Sequence, residues 1–238
     1  MSIVKAYLKK RNLARKKPDI WFVDDKKFGF ILLRKVASRS FKGVLAKYTH
    51  EKQHGPIEGF LDLKQERQLD KASCEHIKTS KLYKMRKNVF LATFVRNPFS
   101  RLLSCYIDKI VQREDGVVSD VIAYGIHYDM SFEEFAKQVA KIPDAMSNTH
   151  FRSMSAFLLH KDKVIPHFVG KFENMAEDWP KLQEKIDLPS LPHRKKSGEY
   201  KKDEYKEHYT KELANIVYER YKKDVDTFGY YDDIKDML

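Results

Sequence analysis

The stretch that decides the fold is residues 28–42, FGFILLRKVASRSFK. An apolar run ends abruptly at Arg34 and Lys35, and apolar residues return at helical spacing from Phe41. This pattern predicts a β-strand, a tight loop and an α-helix. Such a loop directs several backbone N–H groups and a helix N-terminus at one point, which attracts a phosphate or sulfate dianion. The Walker A pattern, GxxxxGK followed by Ser or Thr, is absent, so we expect a nucleotide phosphate that is not held as in ATP or GTP sites.

A second element of the same kind follows at residues 88–109, NVFLATFVRNPFSRLLSCYIDK. Its apolar first half predicts a strand that ends at Arg96. Asn97 is a good helix cap and Pro98 suits the first helical turn, so a helix is predicted to follow at once. Ser104 then lies about two turns into that helix. Because ligands of open α/β sheets bind at the carboxyl ends of the strands, both basic loops are predicted at the same edge of one sheet.

Together these elements resemble the sulfotransferases that use 3′-phosphoadenosine 5′-phosphosulfate (PAPS), and most closely the carbohydrate branch, sulfotransferase family 2, with its chondroitin and HNK-1 type enzymes. In that family a pattern like PKVACT holds the 5′-phosphosulfate, and residues 34–40, RKVASRS, are similar to it. A pattern like FVRxPxxRLxSxY holds the 3′-phosphate, and residues 94–106, FVRNPFSRLLSCY, match it closely. Weaker similarity extends the resemblance over residues 28–231. One departure is Arg34, which replaces the family's usual proline.

The resemblance implies an α/β fold: one domain over residues 21–238 with a mostly parallel central sheet flanked by helices. Its phosphosulfate-binding element would be a P-loop-like strand, loop and helix. Residues 1–20 are expected to form a basic lead-in, and 238 residues suit a single α/β domain. Residues 131–141 predict a helix on their own, because Ser131 and Glu134 form a capping box. Residues 49–87 are read as a polar loop that returns to the sheet edge.

The resemblance also assigns donor contacts, since arginine offers phosphate a bidentate fork and serine a hydroxyl donor. The residues expected to bind the donor are Arg34, Lys35, Val36, Ala37, Ser38, Arg39, Ser40 and Phe41 in the first motif, Arg96 and Ser104 in the second, and Arg194, Lys195, Lys196 and Ser197 in a later basic loop. For Arg39 and for the later loop, exposure to solvent is an equal alternative. Arg101 is expected to brace the loop through a carboxylate such as that of Glu173.

Two residues are expected to take part in the chemistry. Sulfuryl transfer resembles phosphoryl transfer, so a cation beside the leaving phosphate should help, and the family motif gives Lys35 that role. A base must take the proton of an attacking hydroxyl. The best candidate is His150 in SNTHFR, residues 147–152, which resembles a family segment near the acceptor. A structural role for this histidine is the alternative, and the fallback bases are His127, His167 and Glu58.

The net charge and the spacing of His and Cys residues indicate which binding partners to expect. The net charge of +12, from 46 Lys and Arg against 34 Asp and Glu, should attract an anionic donor and an acidic acceptor. No nucleic-acid-binding motif accompanies this charge, so nucleic acid is not an expected partner. His50 and His54 have the spacing of two metal ligands on a helix, but Gly55 and Pro56 argue against a helix there, and no metal is expected. The two distant cysteines favour a reducing compartment.

We therefore predict a PAPS-dependent sulfotransferase that acts on a carbohydrate hydroxyl, acidic or lipid-linked, and releases adenosine 3′,5′-bisphosphate. The alternative is an inactive anion- or polysaccharide-binding module of the same fold. A kinase is disfavoured because its Walker lysine and magnesium carboxylates are not found. The chain has no apolar run long enough to cross a membrane, so a bacterial cytoplasmic location is expected. The basic N-terminus could contact an anionic membrane surface there.

Overall fold

The computed structural model describes residues 17–23, 26–112, 124–191 and 203–238. These residues belong to two compact units. The sheet unit draws on residues 17–23, 26–95 and 157–191, and the helical unit on residues 96–112, 124–156 and 203–238. No helix in the described ranges is long and apolar enough to cross a membrane. The predicted boundary at residue 20 stays a prediction, although the first strand already begins at Asp19.

The strands and helices are numbered in chain order. The strands are β1 Asp19–Val23, β2 Phe28–Leu32, β3 Cys74–His76, β4 Phe90–Val95, β5 Leu159–His160, β6 Lys163–Val164 and β7 Phe168–Lys171. The α-helices are α1 Ser38–His54, α2 Leu63–Ser73, α3 Thr79–Met85, α4 Pro98–Tyr106, α5 Phe132–Ala140, α6 Ser155–Leu158, α7 Met175–Gln183, α8 Lys211–Phe228 and α9 Tyr231–Ile234. The chain is thus of the α/β class that its sequence predicts.

The centre of the sheet unit is a mixed five-stranded sheet in the order β3-β1-β2-β4-β7. β4 pairs in parallel with β2 and β7, whereas β1 pairs antiparallel with β2 and β3. The prediction of a mostly parallel sheet is therefore corrected. The reason is local: only residues 24–27 separate β1 from β2, and such a short connection can join only antiparallel strands.

The two predicted strand-to-helix passages are confirmed. β2 leads into α1, and β4 leads into α4, where the Asn97 side chain accepts the backbone N–H groups of Phe99 and Ser100. β2 and β4 are adjacent and parallel, with Phe28 opposite Phe90, so their carboxyl ends lie at the same edge of the sheet. This confirms the prediction that both motifs begin at one edge.

Helices α1 and α7 flank the sheet through an aromatic core. Phe41 of α1 has its ring centroid 5.0 Å from that of Phe30 in β2 and 5.1 Å from that of Phe94 in β4. Trp179 of α7 stacks on Phe41 at 5.7 Å. Burial of such large rings stabilises a fold strongly, since each removes a large apolar area from water. The basic loop after β2 thus joins a strand and a helix that pack together in this aromatic core.

The stretch 49–87 contains more regular structure than expected. α1 continues through His54, and Gly55, with φ of 89°, ends it instead of preventing it, so the predicted absence of a helix there is wrong. α2 begins with a capping box formed by Asp62 and Gln65, a local signal that the sequence carried. The expected return to the sheet edge is confirmed by β3.

The helical unit is built around α4, α5 and the long α8. Ser131 caps α5 and its hydroxyl and Glu134 form the predicted capping box. α4 continues as a π-helical turn over Ile107–Val111. Cys105 of α4 is fully buried, and both it and Cys74 are free thiols.

Candidate functional site

The loop after β2 has an unusual backbone. Lys35 and Ala37 both adopt the left-handed conformation, with φ of 65° and 46°, whereas Val36 between them does not. Alternation of handedness turns successive backbone N–H groups toward one side and makes a concave anion receptor. Because neither residue is glycine, each position carries strain of about 1–2 kcal/mol. Strain of this kind persists only where the surrounding structure enforces it.

The N-terminus of α1 completes this receptor. Ala37 is the N-cap and provides no side-chain cap, and the first turn contains no acidic residue. Phe41 makes the first helical bond, from its N–H to the Ala37 carbonyl at 3.1 Å. The N–H groups of Ser38–Ser40 therefore precede the helical ladder and lie at the positive end of the helix dipole. These backbone N–H groups could therefore donate to an anion at this end of the helix.

The side chains of the first motif divide into several roles. Arg34 donates to Asp19 of β1 at 2.7 Å, and the other oxygen of Asp19 lies 3.0 Å from Nδ1 of His76. Lys35 is half-buried, Arg39 is exposed and Phe41 belongs to the aromatic core. Donor contacts by these side chains stay predictions. The ion pair with Asp19 shows how arginine is accommodated where the family has proline.

In the second motif, Arg96 is buried and oriented by its neighbours. Its Nε donates to Oγ of Ser100 at 3.0 Å, and that hydroxyl in turn donates to the Asn97 carbonyl at 3.2 Å. The Asn97 side chain accepts the Phe99 N–H at 2.9 Å and so caps the same helix. Ser104 lies half-buried two turns along α4. The sequence marks Arg96 and Ser104, but it does not reveal the anchoring role of Ser100.

Two tyrosines, which sequence reasoning did not single out, support this turn. Tyr205 OH accepts from Asn97 Nδ2 at 3.1 Å and donates to the Asp233 carbonyl at 3.1 Å. Tyr209 donates to the Phe99 carbonyl at 3.0 Å. Burial raises the pKa of Tyr209 well above its usual value, so its hydroxyl remains a donor. The only sequence signal was the presence of two tyrosines in a polar stretch.

Arg101 braces the segment that carries His150. It is only 2% exposed, and it donates to the carbonyls of Arg152 at 2.8 Å and Thr149 at 3.3 Å. Arg101 therefore braces the 149–152 turn within the helical unit. Contact with Glu173, which belongs to the sheet unit, stays a prediction.

His150 is half-buried at this turn. The Asn148 side-chain oxygen lies 3.0 Å from the His150 backbone nitrogen and 2.7 Å from its ring Nδ1. Asn148 itself is 3% exposed. The imidazole is therefore held by a neighbouring amide two residues earlier in the chain.

Arg220 of helix α8 also contacts the segment that carries His150. The guanidinium donates to Asp144 and to the hydroxyl of Ser147, both at 2.8 Å, and to the hydroxyl of Ser153 at 3.1 Å. Burial raises the pKa of Asp144, but Arg220 and the Ser153 N–H outweigh this, and its pKa lies below the usual value. Asp144 is therefore held as a carboxylate.

Two further buried groups of α8, one next to Arg220 and one a turn beyond it, also hold this segment. Tyr221 donates to the Phe151 carbonyl at 2.6 Å. Asp224 accepts the backbone N–H groups of Met154 and Ser155, each at 2.7 Å. Burial raises the pKa of Asp224. Since these contacts join residues about 70 positions apart, no local sequence pattern indicated them.

The fallback bases lie in different surroundings and stay predictions. Nδ1 of His167 accepts the Leu91 N–H at 3.1 Å. A neutral imidazole has one nitrogen that can accept a hydrogen bond, and in His167 that nitrogen is therefore already used within the sheet unit. Burial lowers the pKa of His167, and its ring stacks on Phe90 at 5.5 Å. His127 and Glu58 are exposed.

The later basic loop, Arg194, Lys195, Lys196 and Ser197, lies outside the described residues. Among the residues that are described, no group of three or more His, Cys, Asp or Glu side chains could hold a metal ion. The rings of His50 and His54 lie 4.7 Å apart on α1, yet no third ligand joins them in that part of the chain.

A family model described as "Sulfotransferase family" matches residues 18–231. Comparison with curated proteins and with solved structures gave no match. The matched range includes both motifs and the segment of His150. It accounts for nine-tenths of the chain, which therefore belongs to the sulfotransferase family.

Proposed function

We propose that the protein moves a sulfuryl group from PAPS to a hydroxyl of a carbohydrate and releases adenosine 3′,5′-bisphosphate. Membership of the sulfotransferase family supports sulfuryl transfer in general. The observation that carries the choice of donor is the loop of alternating handedness at Lys35 and Ala37, which leads into a helix without a side-chain cap. Such a P-loop-like receptor suits a compact dianion such as a 5′-phosphosulfate.

In this proposal the donor contacts two sets of residues. Backbone N–H groups of residues 36–40 and the Lys35 amine bind the phosphosulfate, and the lysine neutralises charge that develops on the leaving phosphate. Arg96, oriented by Ser100, and the hydroxyl of Ser104 bind the 3′-phosphate. This phosphate is the feature that distinguishes PAPS from common adenine nucleotides.

His150 acts as the general base of the proposed reaction. The acceptor oxygen forms a bond to sulfur as the bond from sulfur to the 5′-phosphate oxygen breaks. The hydroxyl proton passes to His150, and the electron pair of the broken bond leaves with the phosphate of adenosine 3′,5′-bisphosphate. Histidine suits this role because its pKa is near neutrality.

Net charge supports an acidic carbohydrate as the acceptor, since a chain of charge +12 attracts anions, and a lipid linkage of that acceptor stays a prediction. The proposal also includes three predictions about location and partners. The protein is cytoplasmic, residues 1–20 contact an anionic membrane, and nucleic acid is not a partner. The alternative function is an inactive anion- or polysaccharide-binding module. Lys35, Arg96 and Ser104 argue against it, because the lysine proposed to assist the leaving phosphate is retained together with the two groups proposed to bind the 3′-phosphate.

Calorimetry with adenosine 3′,5′-bisphosphate and with AMP tests the donor. We expect the bisphosphate to bind far better, and Arg96→Ala to weaken it by about 2–5 kcal/mol, as when one partner of a buried charge pair is removed. Arg67→Ala, at an exposed arginine of α2, is the matched control and should bind normally. Equal affinity of the wild-type protein for the two nucleotides would contradict the proposal.

Transfer of labelled sulfate from PAPS to a polysaccharide, measured with and without EDTA, separates the remaining alternatives. We expect transfer to proceed in EDTA, because lysine, arginine and backbone N–H groups take the place of magnesium. Nucleotide binding without transfer to any acceptor would favour the inactive module. An activity that is lost on chelation and restored by magnesium would favour a kinase-like mechanism.

A further inference from the structure

We propose that Asn148 is a positioning residue for the reaction: its side-chain oxygen holds His150 in the one neutral tautomer whose Nε2 can accept a proton. The inference rests on the proposed function, because it takes His150 to be the base. It assigns a role to a residue that lies two positions before the histidine and would itself touch neither donor nor acceptor.

The hydrogen-bond pattern identifies the atom that faces the imidazole. The His150 backbone N–H lies 3.0 Å from the Asn148 side chain, and a backbone N–H can only donate. The amide atom at this place must therefore be the oxygen, since an NH₂ group would place two hydrogen-bond donors against each other.

The same oxygen then determines the tautomer. It lies 2.7 Å from Nδ1 of His150, and an amide oxygen can only accept, so Nδ1 carries the hydrogen. A neutral imidazole has one N–H and one lone pair, which leaves the lone pair on Nε2. One asparagine oxygen thus bonds both the backbone and the ring of the same histidine and limits rotation of that ring.

The turn that carries the pair is held on several sides. The Asn148 carbonyl accepts the N–H groups of Phe151 at 3.2 Å and Arg152 at 2.8 Å. Arg101 binds the carbonyls of Thr149 and Arg152, which flank the histidine closely. Orientation of the base by a third group is a general feature of sites in which a side chain activates a hydroxyl. Here the third group is an amide on a braced turn.

Several charged groups lie within the segment or contact its backbone and its neighbours. They are Arg101 on α4, Asp144 and Arg152 within the segment, and Arg220 and Asp224 on α8. An uncharged amide orients the ring without adding to these charges. A carboxylate in its place would accept the same hydrogen bonds but would raise the pKa of His150.

Nitrogen-15 NMR of the histidine ring tests the contact without any substrate. The signal of His150, assigned by its loss in His150→Ala, should report the Nδ1–H tautomer at a pH where the ring is neutral. Asn148→Ala should shift it toward the tautomer mixture of a free imidazole, and Asn148→Asp should retain Nδ1–H. A wild-type signal of the Nε2–H tautomer would overturn the inference.

Kinetic measurements test whether this contact contributes to catalysis. Asn148→Ala should lower kcat by about 10–100-fold, part of the roughly 10²–10⁴-fold that a general base supplies, with little change in KM for PAPS. Asn148→Asp should recover most of this loss and move the acid limb of the pH profile of kcat to higher pH, because the carboxylate raises the pKa of the base. Asn215→Ala, at an exposed asparagine of α8, is the matched control and should behave as wild type.

The outcomes separate this inference from the proposed function. If His150→Ala abolishes transfer while Asn148→Ala keeps normal kcat, His150 remains the base and the role of Asn148 is overturned. If Asn148→Asp leaves the pH profile unmoved, the inference is overturned even where kcat recovers, because a merely structural asparagine would give that result. Wild-type protein that transfers no sulfuryl group to any acceptor would contradict the proposed function itself and, with it, a catalytic role for the contact.

Discussion

The Nε of Arg96, a residue just before α4, donates to Oγ of Ser100 in the first turn of that helix, 3.0 Å away. The hydroxyl is itself fixed, because it donates to the Asn97 carbonyl at 3.2 Å. The arginine that the proposed function assigns to the 3′-phosphate is thus oriented before any ligand arrives. A group ordered in advance loses less freedom on binding, so its contact with phosphate contributes more to affinity.

Ser100→Ala should therefore weaken the binding of adenosine 3′,5′-bisphosphate while leaving AMP binding almost unchanged. We expect a loss of about 1–2 kcal/mol, typical of one hydrogen bond to a charged group and smaller than the loss caused by Arg96→Ala. Calorimetry measures both. Ser80→Ala, at an exposed serine of α3, is the control. If Ser100→Ala binds adenosine 3′,5′-bisphosphate as tightly as the wild-type protein does, the hydrogen bond from Arg96 to Ser100 does not contribute to binding.

Ala37→Gly should stabilise the protein. Ala37 has φ of 46°, and the left-handed conformation costs a non-glycine residue about 1–2 kcal/mol. Glycine avoids this strain but loses about 0.4–1 kcal/mol through the greater freedom of the unfolded chain. The strain is the larger effect, so we expect a net gain of up to about 1 kcal/mol in the free energy of unfolding. Urea denaturation measures it.

Ala37→Val gives the opposite test at the same position, since a β-branched residue tolerates positive φ least. It should lower the free energy of unfolding. Equal stability of the glycine and valine variants would mean that the loop does not hold residue 37 in the left-handed region.

The two motifs could be predicted because their signals are local. An apolar run that stops at a basic residue, followed by Asn97 and Pro98, defines a strand end and a helix start within a few positions. β1 was missed although its sequence, DIWFV, favours a strand, because the lead-in was predicted to run through residue 20 and no strand was assigned before residue 28. That omission also made the sheet seem mostly parallel, since both antiparallel pairs described in the five-stranded sheet involve β1.

Other parts of the site depend on contacts that are distant in sequence. Arg220, Tyr221 and Asp224 look like ordinary members of an amphipathic helix, yet they hold residues 144–155, about 70 positions earlier. The left-handed backbone of Lys35 and Ala37 was equally hidden, because glycine is the usual sequence signal for such a conformation. Local patterns therefore located the candidate residues, and tertiary packing determined how they are held.

Asp144→Asn should make the protein less stable at neutral pH and less sensitive to acid. Arg220 and the Ser153 N–H hold the pKa of Asp144 below its usual value despite its burial. A carboxyl group whose pKa is lowered on folding contributes stability above its unfolded pKa, and this contribution is lost as the pH falls through the folded pKa. We expect a cost of about 1–3 kcal/mol at pH 7, the size of a lost hydrogen bond to a charged group.

Thermal denaturation of both proteins between acid and neutral pH measures this difference. The two stabilities should converge as the pH falls below the unfolded value near 3.8 toward the lowered pKa. Asp62→Asn is a suitable control, because asparagine also caps helices and Asp62 is exposed. A difference that stays constant with pH would show that the Asp144 carboxylate does not carry the effect.

Gly170→Ala should destabilise the sheet unit, since there is no room for a methyl group at this position of β7. A Cβ atom there would lie 2.4 Å from Cε1 of the Phe94 ring. Phe94 is part of the aromatic core and cannot move without disturbing Phe41 and Trp179. Overpacking of a core costs about 1–3 kcal/mol, which chemical denaturation would detect.

A second substitution locates the cause. Phe94→Leu removes the ring and should itself be destabilising, but Gly170→Ala should cost much less in that background. The coupling energy of this double-mutant cycle should be at least about 0.5 kcal/mol, as for other residues in contact. Additive effects of the two substitutions would contradict the steric explanation.

Lys35→Ala and His150→Ala should separate the two halves of the proposed reaction. Lys35 would act on the leaving phosphate, so its loss should slow transfer to every acceptor. His150 would act on the acceptor, so its loss should lower turnover by about 10²–10⁴-fold while adenosine 3′,5′-bisphosphate still binds normally. Lys64→Ala, at an exposed lysine of α2, controls for the loss of charge alone. A more acidic acceptor, whose hydroxyl needs a base less, should recover part of the activity of His150→Ala but none of that of Lys35→Ala. Recovery of both variants by the same acceptor would mean that the two residues do not act at opposite ends of the transfer.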